Sequence, residues 1–205
     1  MRIDTETAVR HLRRADPVMR SIVRAVGPAE LRPGARGDNF TTISRAIVGQ
    51  QLSAKAAETI WNRLTALHPN GRRMRPEDVV AATDAALRAT GMSKAKVSYV
   101  KDLAGRVVAG TLRLNGLSRL DDERIIAELT AVRGIGRWTA EMFLIFKLGR
   151  PDVWPMDDLG IRNAVKRAYR IEPTKENLAR VAEPWRPWRS VASWYLWRSL
   201  ALPPV

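Results

Sequence analysis

Four stretches of this sequence carry residue types that could do chemistry. They are the glycine-bracketed turn Gly134-Ile135-Gly136, the acidic pair Asp157-Asp158, the polar turn Gln50-Gln51-Leu52, and a scatter of seven tryptophans in a chain with an aromatic content of only 6%. The turn lies within 129–140, which reads as two helices joined by a tight apolar connection. Glycines at 134 and 136 permit positive φ and place no side chain between the backbone and a ligand. The free N–H groups at the start of the second helix, running past Arg137 and Thr139, attract an anion, and a DNA phosphate fits there. Val132 and Ile135 anchor the turn to the body, while Arg133 and Arg137 supply charge for a phosphate backbone. The same segment also reads as an ordinary helical hairpin with a glycine C-cap.

Asp157-Asp158 stands some twenty residues beyond the turn, at the expected start of a helix. Aspartate is a preferred N-cap and complements the helix dipole, so the pair alone is read as structural. Beside a sugar, however, a carboxylate stabilises the positive charge that develops when an N-glycosidic bond breaks, and it can orient or deprotonate an attacking water. Adjacent helical residues do not share a face, so one of the two aspartates faces the chemistry. Trp61, Trp185 and Trp188 are read as core; Trp138, Trp194 and Trp197 are candidates for a wall against which a purine stacks, worth about 1–3 kcal/mol per stacked base. A cationic, alkylated purine gains a further cation–π attraction of about 0.5–2 kcal/mol.

These groups must be positioned by helices, since helix signals run through the chain and no alternating run bounded by hairpin turns is present. The expected fold class is all-α. Asp16-Pro17 opens a helix stopped by Gly27-Pro28, and 31–39 is a loop. A helix over 40–48 ends at Gly49-Gln50-Gln51-Leu52, and Ser53 caps the next. Further helices are expected over Pro76–Ala81, Asp84–Ala89, Lys94–Val108 and 123–129, with the hairpin spanning about 123–148. Ala140, Phe143, Leu144 and Leu148 mark one face of its second helix. A helix with Ile161 and Val165 follows, then one capped by Thr174, and a last one with Trp194 and Trp197. Short loops predict a single domain over 1–205 with two helical lobes, an active-site cleft between them, and the first and last helices packed together.

Against 21 Asp plus Glu stand 35 Lys plus Arg, a formal charge of +14 that favours a polyanionic partner. The chain contains no cysteine, which excludes disulfides, thiolate zinc sites and iron–sulfur clusters. His11 and His68 lie far apart without ligand-type neighbours, so no metal site is expected. No apolar run approaches the roughly 20 residues that cross a bilayer, and the first residues lack a secretory core. A cytoplasmic, nucleoid-associated protein with no membrane partner is expected.

The ordered blocks Ile47-Val48-Gly49-Gln50-Gln51-Leu52-Ser53, the hairpin, Trp154-Pro155-Met156-Asp157-Asp158-Leu159-Gly160 and Trp185-Arg186-Pro187-Trp188-Arg189-Ser190 together resemble the helix-hairpin-helix DNA glycosylase superfamily. Within it they resemble the 3-methyladenine DNA glycosylase II group, in a minimal form without its N-terminal β domain. The likeness spans about 40–197. It implies that Asp158 is the catalytic carboxylate and Asp157 a cap or supporting group. It implies that Trp138 and Trp197 line the base pocket, and that Gln51 is the wedge entering the gap left by a flipped nucleotide, with Leu52 and Gln50 as neighbouring candidates. Gly91-Met92-Ser93-Lys94-Ala95-Lys96 resembles a second basic turn of the family, so Lys94 and Lys96 are candidates for phosphate contact. Family members that also cut the strand place a lysine nucleophile where this sequence has Trp138, so a water-using, monofunctional enzyme is implied. The expected function is hydrolytic release of alkylated purines, such as 3-methyladenine, 7-methylguanine or etheno and hypoxanthine bases, from double-stranded DNA by a monomer without cofactor. The family allows a monovalent cation at the hairpin carbonyls. The alternatives are a non-enzymatic hairpin DNA-binding protein and a glycosylase for deaminated or oxidised bases.

Overall fold

Local chemistry sets most helix starts in this protein, whose computed structural model describes residues 3–34, 37–67 and 74–203. His68 and Pro204 lie outside the described residues. The helices are α1 (Thr5–Ala15), α2 (Pro17–Val26), α3 (Asn39–Gly49), α4 (Ala54–Ala66), α5 (Pro76–Ala81), α6 (Asp84–Ala89), α7 (Lys94–Val108), α8 (Asp122–Thr130), α9 (Arg137–Met142), α10 (Leu159–Tyr169), α11 (Lys175–Ala182) and α12 (Arg189–Ser199). Among the described residues no strand forms. Asp4, Asp16, Asp38, Ser53, Thr83, Ser93, Asp121, Asp158 and Thr174 each accept a backbone N–H from the first turn of the helix that follows. Each such cap satisfies a donor that the helix itself cannot pair, and is worth about 1 kcal/mol. Because Asp38 caps α3, that helix begins at Asn39, one residue earlier than the loop reading of 31–39 places it.

The chain divides into two compact units, one of Met1–Gly34 with Leu144–Val205 and one of Ala35–Phe143. In the first, α12 is buried on almost every side, with Val191, Ala192, Tyr195 and Leu196 fully covered. The expectation that the first and last helices pack together is met within this unit: α12 lies against α1 and α2, and the Tyr195 hydroxyl donates to the Gly27 carbonyl at 2.9 Å. Buried Asp16 serves three helices at once. It caps α2 and accepts from the Tyr169 hydroxyl at 2.6 Å and the Trp185 indole at 3.0 Å. Burial, and then the Asp16 carboxylate it donates to, push the Tyr169 phenol far above its ordinary value, so it stays a donor. His11, read as a bland histidine, bonds the Pro184 carbonyl at 2.9 Å. Trp61 and Trp185 are core as expected, whereas Trp188 is only half-buried because it sits at the N-cap of α12.

The second unit is built on α7, which packs against α3, α5 and α6. Val97, Val100, Leu103 and Ala104 form its buried stripe, a spacing that a 3.6-residue turn brings to one side. The helix after the hairpin differs from its expected form. It is α-helical only through Met142 and continues as a π-helix over Phe143–Leu148. The wider turn shifts the buried set to Phe143, Leu144 and Ile145, leaves Leu148 half-buried, and turns Phe146 outward at 38% exposure.

Candidate functional site

In the first unit, the carboxylate of Asp158 is fixed by what precedes and follows it. Ser190 donates its hydroxyl to the Arg150 carbonyl at 2.7 Å and accepts the Val153 N–H at 2.9 Å. Arg189 grips both oxygens of Asp152, at 2.7 and 2.9 Å, with Arg186 on the same carboxylate. Such two-pronged guanidinium–carboxylate contacts fix geometry as well as charge. The Trp185–Ser190 block therefore pins the loop that delivers the aspartate.

Asp158 itself is the N-cap of α10, its Oδ1 accepting the Ile161 N–H at 2.8 Å. The same oxygen accepts the Trp197 indole N–H at 2.8 Å. The structural role of an N-cap is thus realised, and it falls on Asp158; exposed Asp157 is not the cap. Gly160 makes the indole's approach possible, because a Cβ there would stand 3.0 Å from both Asp158 Oδ1 and Trp197 Cδ1. Arg167 of α10 in turn holds the Ser199 carbonyl at the end of α12 and the Leu202 carbonyl just beyond it, so the two helices bearing carboxylate and indole are tied at that end. The indole plane stacks on Phe146 with centroids 5.9 Å apart. Trp194, one turn back, packs edge-on against Tyr195 and carries the Arg198 guanidinium 5.8 Å over its ring.

In the second unit, the hairpin between α8 and α9 has the expected anchors, with Val132 and Ile135 buried. Only Gly134 uses the left-handed region, at φ 79. Gly136, expected to share that freedom, is extended at φ −89 and ψ 169. The two glycines have different reasons. A Cβ at Gly134 would lie 2.2 Å from the Tyr99 ring, whereas one at Gly136 would meet nothing within 4 Å. Gly134 is a packing glycine and Gly136 leaves an open approach to the backbone. The hairpin's first amides are used internally: Val132 N–H bonds Leu129, Ile135 N–H bonds Val132, and Arg133 N–H bonds Asp102. The N–H groups of Gly134, Gly136 and Arg137 have no acceptor among the described residues, no side chain caps α9, and all three residues are exposed. Neighbouring unpaired amides of this kind make a seat for an anionic oxygen.

Of the basic side chains named from the sequence, Arg133, Arg137 and Lys96 have partners within the unit. Arg137 is held by Glu123, at 2.5 and 3.0 Å, and by buried Glu141 at 3.0 Å. Arg133 lies on Asp102 at 3.6 Å. Lys96 points inward and donates to the carbonyls of Val48 and Gln50, both at 2.8 Å; burial pulls its ammonium below the usual lysine value. Lys94 remains exposed at the start of α7, and Thr139 is half-buried on α9. Gln50 also turns inward, its amide donating to the Gly134 carbonyl at 2.9 Å. That leaves Gln51 and Leu52 exposed at the tip of the α3–α4 turn. Gln51 adopts φ 56, a left-handed conformation costing a non-glycine residue about 1 kcal/mol and found where surroundings enforce it. Trp138 is 48% exposed on α9, an unusually open place for an indole.

Sequence reasoning missed Tyr99, Asp102, Phe146 and the reason for Gly160. Tyr99 and Asp102 are ordinary residues of a long helix until folding sets them against the hairpin. Phe146 is hidden by the π-helix, whose register periodicity does not announce. Gly160 had a signal in its place two residues after Asp158.

Comparison with known proteins gives these arrangements a context. Residues 44–187 match the family described as HhH-GPD superfamily base excision DNA repair protein. The chain is 36% identical over 198 residues to DNA-3-methyladenine glycosylase 1 of Schizosaccharomyces pombe, covering 94% of this chain and 86% of that one. The structure of the S. pombe 3-methyladenine DNA glycosylase in complex with abasic DNA superposes with a TM-score of 0.82, over 96% of this chain and 97% of that one. The DNA-3-methyladenine glycosidase of Bacillus halodurans matches with a TM-score of 0.83 at 33% identity, over 94% of this chain and 88% of that one. No described helix is long and apolar enough to cross a membrane. With the all-α architecture, the hairpin and the capped aspartate all in the matched region, the chain belongs to the HhH-GPD superfamily of base excision DNA repair proteins.

Proposed function

We propose that this protein is a monofunctional DNA glycosylase that hydrolyses the N-glycosidic bond of alkylated purines in duplex DNA, with residues 1–205 acting as one domain. The observation that carries this reading is the Asp158–Trp197 pair. It combines a carboxylate aimed by two donors on one oxygen with an aromatic surface at its flank. In the reaction, the hairpin amides of Gly134, Gly136 and Arg137 hold a phosphate of the lesion-bearing strand, and Gln51 and Leu52 fill the gap as the nucleotide leaves the stack. Asp158 then stabilises the oxocarbenium-like sugar and orients the water that attacks it. Trp197 and Trp194 offer indole surfaces to the base. An alkylated purine carries positive charge, so it stacks well on indole and departs without a strong general acid. Trp138 occupies the position at which strand-cutting relatives would carry lysine, so no covalent Schiff base forms and an intact strand with an abasic site is the product.

The test presents duplexes containing 3-methyladenine, 7-methylguanine, hypoxanthine, ethenoadenine, uracil or 8-oxoguanine, followed by alkali to reveal abasic sites. Release of alkylated purines, no covalent adduct on borohydride treatment, and a fall of about 10²–10⁴-fold in single-turnover rate for Asp158→Asn are expected. Asparagine caps as well as aspartate, so the variant stays folded. Wild-type excision by Asp158→Asn would remove the aspartate from the chemistry. Tight duplex binding with no cleavage of any substrate would instead leave a DNA-binding protein without enzymatic activity.

A further inference from the structure

Within the second unit, one face of α7 reaches both DNA-facing elements. Lys96, Tyr99 and Asp102 follow each other at intervals of three, a spacing that places them along one side of a helix. At one end, the Lys96 ammonium bonds the Val48 and Gln50 carbonyls at 2.8 Å, where the C-terminus of α3 passes into the strained turn at Gln51. These are carbonyls with no helical partner, and a half-buried cation is well matched to them. In the middle, the Tyr99 ring packs on Gly134 so closely that no Cβ fits between them. At the other end, Asp102 accepts the Arg133 N–H at 2.9 Å and pairs with Arg106 at 3.0 Å. Its burial opposes ionisation, but the Arg133 amide and the two guanidiniums outweigh that and hold the carboxyl below its ordinary range. The Gln50 amide closes the circuit by donating to Gly134.

We infer that α7 is the ruler that sets the wedge turn against the phosphate-holding hairpin, with Lys96 and Asp102 as positioning residues. Lys96 enforces the backbone from which Gln51 and Leu52 project. Asp102 fixes the hairpin whose amides meet the strand. The sequence had offered Lys96 as a phosphate contact; its ammonium instead faces the protein's own carbonyls, and its effect on DNA is exerted through the turn. This inference rests on the proposed function only in assuming that the turn enters the duplex.

The experiment uses the full chain and a duplex with a tetrahydrofuran abasic analogue opposite 2-aminopurine, whose fluorescence reads insertion without any bond being cut. Lys96→Met is expected to lower the fluorescence change at saturation at least fivefold and the single-turnover excision rate about tenfold, with duplex Kd within threefold of wild type. Asp102→Asn should weaken Kd about tenfold while the amplitude at saturation is kept. In a Gln51→Ala/Leu52→Ala background, Lys96→Met should cost nothing further, because its route to DNA is gone; such non-additivity separates positioning from general destabilisation. Lys96→Arg, which keeps the charge and the donors, should restore the amplitude. If Lys96→Met does not fold, Lys96→Gln carries the same comparison. Wild-type amplitude in the folded Lys96 variant, or losses that simply add to those of the turn variant, would overturn the inference. A wild type that inserts but excises nothing would refute the enzymatic reading and leave this one standing.

Discussion

The two units prepare for DNA in opposite ways. In Met1–Gly34 with Leu144–Val205, a side chain is presented: Asp158 is held by its neighbours so that its carboxylate is aimed. In Ala35–Phe143, side chains are occupied: Lys96, Arg133, Arg137 and Gln50 all bond partners within the unit, while the N–H groups of Gly134, Gly136 and Arg137 have no acceptor among the described residues. The contrast fits the tasks proposed for the two units. Stabilising a developing cation needs a charge at one point. Holding a phosphate that recurs along every strand needs a fixed cradle of donors, which backbone supplies more rigidly than a long cationic side chain with several rotamers to lose.

Separate substitution of the two hairpin glycines should produce the largest effects. Gly134→Ala combines a positive φ with a collision against the Tyr99 ring, so it should cost about 3 kcal/mol and lower Tm by about 6–12 °C. Gly136→Ala should leave Tm within about 2 °C, since its Cβ meets nothing, yet weaken duplex binding about tenfold by standing where the strand approaches. Equal thermal losses for both, or unchanged binding by Gly136→Ala, would mean that the backbone cradle is wrongly placed.

For the other unit, Trp197→Phe keeps an aromatic surface over Phe146 and removes the N–H bond to Asp158. Excision should slow about tenfold, the size expected from losing one hydrogen bond to a charged group, with duplex Kd little changed. A change in Kd without a change in single-turnover rate would show the indole serving binding rather than the carboxylate.

The smallest effect concerns acid. Asp102 is held below its ordinary value in the folded chain, so its contribution to stability is fully present above the unfolded carboxyl value and is lost as pH falls through the lower folded one. Thermal unfolding between pH 6 and pH 2.5 should therefore show Asp102→Asn with a shallower acid limb than wild type, the two curves converging at the acid end. Parallel curves would remove Asp102 from the ionic fastening of the hairpin.

Helix positions were legible because they rest on local chemistry. Aspartate, serine and threonine caps, proline at the first turn and apolar spacing located the spans Pro76–Ala81, Asp84–Ala89 and Lys94–Val108 at the residues where they form. The hairpin and the aspartate pair were legible for the same reason, since a left-handed turn residue such as Gly134 and a helix cap act on their immediate neighbours in the chain. Long-range packing selected which aspartate caps and meets an indole, because that indole comes from a helix 39 residues on. It also decided that Lys96 serves the protein's own carbonyls, 46 and 48 positions earlier in the chain. A lysine's type announces a charge but not the direction in which its four-carbon arm points. That direction is set by which unpaired carbonyls the fold brings within reach, and no local rule contains it.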